Sequence, residues 1–258
     1  MPSCPGSPSL PAASSTCCKR PRSTTTGQRE SWAIDPDTTG KRPLTHNWPR
    51  WSSARPNRCR WPALSPVSTK VKQRRLTIVD AARDHIYHHG YGSTSYADIA
   101  RETGLGKGNI QYHFKAKEDL LHAAIDQQIQ DIREQLERWS LDCGTAYDCI
   151  ERFIGMVEGN ARNLSSYGCP MGSLNSELGK HERQLQGRAR AMFDLYLRWL
   201  EARFRSFLPR KQAQARAEQL MVMAQGASLM AHAYEEPRII RNQARIMRQW
   251  LADICDQS

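Results

Sequence analysis

Beyond about residue 70, apolar residues recur three and four apart, and no stretch alternates as a half-buried strand must. A chain patterned this way packs helix on helix, so the expected fold class is all-α. Val79, Ala82 and Ile86 mark a first helix over about 72–89, stopped at Gly90-Tyr91-Gly92. Leu121, Ile125, Ile129, Ile132, Leu136 and Trp139 form one long apolar stripe, and Ala146, Ile150, Phe153, Val157 and Leu164 form the next. Around 192–207 one helix is apolar on two faces, which places it between partners. The last two helices follow Pro209 and Pro237, and their surplus apolar surface points to a subunit interface.

The first 70 residues are of another kind. They hold eleven of the fourteen prolines and four of the seven tryptophans, with no apolar period, and are expected to be disordered. They also carry +8 of the +11 net charge, so the basic balance is weak evidence for nucleic-acid binding by the rest of the chain. Two readings stand for this extension: a native start near 67–71, or a basic arm that tracks DNA phosphates. No apolar run reaches the length of a signal peptide core or a membrane span, so a cytoplasmic protein without membrane contact is expected. Eight cysteines include no C-x-x-C pair, and no metal or other cofactor is expected.

One run, "TGLGKGNIQYHF" at 103–114, is too polar and small to be a core element. Ser95, with Asp98 three residues on, reads as a capping box opening a helix that ends at Gly104 in a left-handed conformation. A turn, Gly104-Leu105-Gly106, leads into a second helix over 107–113. These are the dimensions of a helix-turn-helix whose second helix enters a DNA major groove. Ile99, Leu105, Ile110 and Phe114 are spaced to bury against the first helix, leaving Lys107, Gly108, Asn109, Gln111, Tyr112 and His113 outward. Asn109 and Gln111 carry amides able to pair with adenine edges, and Lys107 can reach guanine or phosphate. Tyr112, His113 and Lys117 suit phosphates, and Ser95 and Tyr96 at the start of the preceding helix complete the candidate DNA contacts.

The span "RRLTIVDAARDHIYHHGYGSTSYADIARETGLGKGNIQYHFKAKEDLL" resembles the DNA-binding domain of the TetR (tetracycline-repressor) family, through Ala81-Ala82, Gly90-Tyr91, Thr94-Ser95, Asp98-Ile99-Ala100, Gly108, Tyr112-His113-Phe114, Lys117-Glu118 and Leu120. The resemblance implies a reading head over 71–118 and a helical domain over 119–258. It further implies a homodimer, joined by its last two helices (about 211–234 and 238–255), that binds a pseudo-palindromic double-stranded operator and is released by a small-molecule inducer. The expected function is therefore that of a ligand-responsive repressor. Two departures matter: Gly106 stands where the family usually has Ser or Thr, and Gln111 where it usually has Tyr.

A second stretch, "YGCPMGSLNSEL" at 167–178, resembles a segment beside the inducer cavity in some TetR-family proteins. Pro170 suits the first helical position, which makes Cys169 the N-cap, where the helix dipole is expected to lower a thiol pKa. Cys169 is then either a small packed hydrophobe or the thiol of a redox- or electrophile-sensing repressor. Phe153, Tyr167, Cys169, Met171, Asn175, Tyr196 and Trp199 are the candidate inducer contacts, against the plainer reading of aromatic and Met stripes as core. His85, His88 and His89 share a helix face near its end and read as polar caps rather than metal ligands. Glu177, His181 and Glu182 titrate, yet no nucleophile, base and orienter come together in sequence, so an enzyme is not expected. A non-specific nucleic-acid-binding protein is the remaining alternative, separable by comparing operator with random duplex at fixed salt.

Overall fold

The computed structural model describes residues 66–256, so the expected disorder of residues 1–65 lies outside the described residues. Ten helices follow one another there, with no strand among the described residues: α1 (Pro66–His89), α2 (Tyr96–Thr103), α3 (Lys107–His113), α4 (Lys117–Asp142), α5 (Ala146–Gly159), α6 (Ala161–Tyr167), α7 (Pro170–His181), α8 (Arg183–Phe204), α9 (Arg210–Ala233) and α10 (Pro237–Asp256). None of them is long and apolar enough to cross a membrane.

Two apolar cores result. The smaller is built from Ile78, Val79 and Ala82 of α1, Ile99 of α2, Ile110 of α3, Phe114, and Leu120, Ala123 and Ala124 of α4. The larger runs through α4 to α10, and Leu121 and Ile125 of α4 belong to it. Successive positions of one helix thus face different cores, so α4 joins the two units as a rigid shared rod. The smaller core draws on α4 as far as Ala124, and α1 begins at Pro66.

The apolar stripe through Phe153 to Leu164 is divided between two helices. α5 ends at Gly159, and Asn160 takes both its backbone and side-chain N–H back to the Met156 carbonyl before α6 begins. Helix α8 lies between α7 and α9 on one side and α4 and α5 on the other, which explains its two apolar faces.

Local signals set the reading head. The Ser95 hydroxyl accepts the Asp98 N–H while the Asp98 carboxylate accepts the Ser95 N–H, a complete capping box. Gly104 ends α2 at φ 67°, a conformation that costs a residue with a Cβ about 1 kcal/mol or more. The Ser95 hydroxyl, then its amide and the Arg101 guanidinium, hold the Asp98 carboxyl below its usual pKa against a smaller opposing desolvation. A depressed folded-state pKa means that this stabilisation is present at neutral pH and is lost as pH falls through the carboxylate range. Ser95→Ala is expected to lower stability by about 1 kcal/mol and to flatten the acid side of the head's thermal-stability profile; calorimetry between neutral and acid pH checks both.

Candidate DNA interface and ligand cavity

Helix α3 rests on Ile110, which is fully buried, and on Phe114 at its C-cap. Around these anchors Lys107, Gly108, Gln111 and Tyr112 are exposed and Asn109 and His113 are half-buried, so the polar face points away from the core. Tyr112 is 69% exposed, and its ring meets His113 edge-on at 5.2 Å. Gly106 caps α3 without a side-chain hydrogen bond. The face carries amides, one ammonium and a phenol, all able to bond base edges and phosphates, on a rod short enough for a major groove.

Two of the expected DNA contacts have work inside the head. The Tyr96 hydroxyl donates to the Phe114 carbonyl at 3.0 Å, and its ring packs on the small core, so it pins the end of α3 rather than projecting outward. Lys117 Nζ donates to the Gly92 carbonyl at 3.2 Å and lies 4.3 Å from the Tyr91 ring centroid, so its charge also braces the loop between α1 and α2. Ser95 remains exposed with its hydroxyl engaged in the capping box. The sequence reading missed the start of α1. Lys70, Lys72, Arg74 and Arg75 are exposed there, and the Arg75 guanidinium stacks 4.9 Å over the Phe114 ring, which sets this basic run beside α3. The run "KVKQRR" was the available signal.

A cavity of about 620 Å³ lies in the larger unit and reaches the head. Five of the seven candidate inducer contacts line it: Phe153, Tyr167, Cys169, Met171 and Tyr196. Asn175 and Trp199 do not. The Asn175 amide bonds back to the Met171 carbonyl within α7, and the Trp199 indole donates to Ser140 Oγ at 2.9 Å and packs edge-on against Trp139. Periodicity had put Trp199 on the face of Tyr196, but three residues of helix turn it toward the end of α4. Gln135, Gln225 and Ser228 line the cavity as well and were not foreseen. A polar residue interrupting an apolar stripe was the signal in each case.

Cys169 caps α7 ahead of Pro170, as the sequence suggests. Its pKa moves the other way from the expectation. Desolvation pushes the thiol up, and the opposing hydrogen bonds from Gly172, Gln225 and Met171 do not overcome it. Desolvation thus acts against the lowering expected from the N-cap position.

At the head-facing end, the cavity wall passes to His85, His88 and Arg101 with Asp84, Asp98 and Glu102. His85 Nδ1 lies 3.1 Å from Thr94 Oγ1, whose own proton goes to the Gly90 carbonyl, so the imidazole is the donor there. Burial lowers the His85 pKa and favours that neutral form. No group of three potential metal ligands occurs among the described residues. Glu177 has no catalytic partner. Its two carboxylate oxygens accept the Tyr91 and Gly92 N–H groups at 2.9 and 2.6 Å, tying α7 to the loop after α1. Gly90 turns the chain there at φ 84°, and a Cβ on it would stand 3.3 Å from the same carboxylate.

The family model described as "Bacterial regulatory proteins, tetR family" matches residues 78–124, which span the smaller core. The chain is 28% identical over 166 residues to the HTH-type transcriptional regulator BetI of Cronobacter sakazakii, covering 64% of this chain and 82% of that one. It is 31% identical over 110 residues to an uncharacterised HTH-type transcriptional regulator in the lacX 3' region of Lactococcus lactis, spanning 42% of this chain and 56% of that protein's length. A TetR-family regulator from Agrobacterium tumefaciens superposes with a TM-score of 0.62 at 25% identity, covering 69% of this chain and 97% of that one. Residues 78–124 thus match the TetR-family model, and the relatives and solved structures support a TetR-family regulator.

The named relatives are transcriptional regulators, which supports DNA-binding regulation as the function class. α1 to α3 with the start of α4 enclose the smaller core, and α4 to α10 enclose the larger. One surface feature of the larger unit bears on assembly. Val222, Leu229, Met230 and Tyr234 are exposed on or just after α9, Ile246 is exposed on α10, and Gly226 lies bare among the first of them.

Proposed function

We propose that this protein is a cytoplasmic repressor that binds a pseudo-palindromic operator as a homodimer through α9 and α10 and is released by a small molecule entering the 620 Å³ cavity. The observation that carries the reading is that one cavity wall includes residues of α5, α8 and α9 together with residues of α1 and α2. A molecule lodged there touches both the larger unit and the head, so it can favour one head orientation by differential contact, which is all that release requires. In the dimer two copies of α3 reach successive major grooves, with base contacts from Lys107, Asn109 and Gln111 and phosphate contacts from Tyr112, His113 and the basic start of α1. The cavity, which Cys169 lines with four other candidate contacts, supports a bound ligand as the releasing event.

Asn109→Ala tests the readout. It is expected to weaken binding to the operator by roughly ten- to a hundredfold, as loss of a bidentate base contact does, while random duplex is held as before. Lys72→Ala is expected to weaken both alike and to reduce the salt dependence. Fluorescence anisotropy on both duplexes at fixed and varied salt reads the two effects. Equal losses on both duplexes from Asn109→Ala would remove α3 from sequence readout.

A further inference from the structure

The inner part of the cavity has an unusual polar economy. Gln135 is buried, and its amide N–H donates to the Met156 thioether at 3.4 Å while its oxygen accepts the Tyr196 hydroxyl at 3.3 Å. The Gln225 amide is likewise set against sulfurs, Met221 Sδ at 3.9 Å and the Cys169 thiol. Thioethers are weak acceptors, so two strong amide donors facing the cavity lack a matched partner. Ser228 goes further: it is 2% exposed, lines the same cavity, and its hydroxyl has no hydrogen-bond partner at all. A serine within a helix ordinarily bonds back to the carbonyl four residues earlier, and this one does not. Unsatisfied buried polar groups of this kind are rare and costly unless something else meets them.

The charged lining residues, Asp84, Asp98, Arg101 and Glu102, come from α1 and α2 at the head-facing end. Apart from the amides and the serine the inner wall is Phe153, Met156, Val157 and similar apolar groups, and desolvation disfavours the charged forms of Tyr196 and Cys169 there. An ion placed among them would lose its hydration without gaining a counter-charge. The volume is that of a site enclosing a drug-sized molecule.

We propose that the cavity takes an uncharged, largely apolar molecule of drug-like size bearing a carbonyl or ether oxygen, which the Gln135 and Gln225 amides and the Ser228 hydroxyl grip at the inner end. This rests on the ligand reading given under Proposed function and names the chemical class of that ligand. Phe153 and Tyr196, whose rings meet edge-on at 5.7 Å, form an aromatic side to the site.

The test titrates the full chain with three fluorescent dyes of similar size: neutral Nile red, which carries a ring carbonyl, anionic 1-anilinonaphthalene-8-sulfonate, and cationic rhodamine 6G. Nile red is expected to bind one per chain, at least tenfold tighter than either charged dye, and to be lost in Ala224→Trp, which fills the cavity. Gln135→Leu is expected to weaken Nile red roughly five- to tenfold, the range for a lost hydrogen bond. Ser228→Ala is expected to weaken it while raising the melting temperature of the ligand-free protein, a combination that a merely structural serine would not give. Where tryptophan unfolds the chain, the near-isosteric Gln135→Leu and Ser228→Ala variants decide. Charged dyes binding as tightly as Nile red, with the same dependence on Ala224, would overturn the proposed class while leaving the cavity as a binding site. Unchanged Nile red affinity in both polar variants would also overturn it. Dye binding that ignores Ala224→Trp, Gln135→Leu and Ser228→Ala alike would overturn the cavity reading itself.

Discussion

Leu229→Arg is expected to convert the protein to a monomer and to cost at least a hundredfold in operator affinity while leaving helix content nearly unchanged. Val222 and Leu229 are 70% and 67% exposed and lie seven residues apart, so they share a face of α9. Gly226 sits between them on that face, where a partner helix can approach closely. A twofold interface repeats each side chain, so one substitution places two guanidinium groups in the same apolar seam. Burying a large aliphatic side chain is worth about 1.5–3 kcal/mol, and each such contact occurs twice. The protomer's own core is spared because Leu229 is 67% exposed within its chain. Sedimentation velocity gives the oligomeric state and anisotropy gives the affinity; a variant that stays dimeric would move the interface off this stripe.

Glu177→Ala has the second large effect, and it acts on coupling rather than assembly. Helix α7 begins at the cavity with Cys169, Pro170 and Met171 and carries Glu177 two turns further on to the loop that feeds α2. Hydrogen bonds to a charged acceptor contribute about 1.5–3 kcal/mol, and two amides share this one. Their exchange with solvent at Tyr91 and Gly92 is expected to accelerate by roughly ten- to a hundredfold, a range that follows from the same energies. A molecule pressing on Met171 would then no longer pull the head, so its effect on operator affinity should fall toward none. Unaltered exchange at both amides would show that α7 does not hold the loop. A smaller cavity of about 260 Å³ lies against Gly90 and Glu177 and shares Tyr87, Tyr167, Pro170 and Met171 with the larger one, which leaves room for such a shift.

The reading head was legible because its signals are local. Ser95, Asp98, Gly104 and Phe114 each fix a boundary through their own neighbours, and α2 and α3 begin and end where those residues say. The long helices were legible as stripes, but a stripe says only that a face is buried. It could not say that Tyr196 meets the cavity while Trp199 meets Trp139, since that depends on which helix lies opposite. It also ran across Asn160 without showing the break, because the apolar spacing survives there. The Cys169 pKa was misread for a related reason. The N-cap position is local and visible, whereas desolvation depends on the tertiary surroundings of the thiol. Tyr96 and Lys117 were read as DNA contacts from their place near the recognition helix, and only the fold shows their bonds to the Phe114 and Gly92 carbonyls.

Hydroxyl-radical and methylation-protection footprinting of the purified protein on a genomic fragment it selects tests the central claim most directly. Two protected major-groove faces, related by a dyad and about 34–36 Å apart, with protection fading in Asn109→Ala, are what two copies of α3 on one dimer should leave. Uniform protection along the duplex, or protection that Asn109→Ala does not alter, would contradict it.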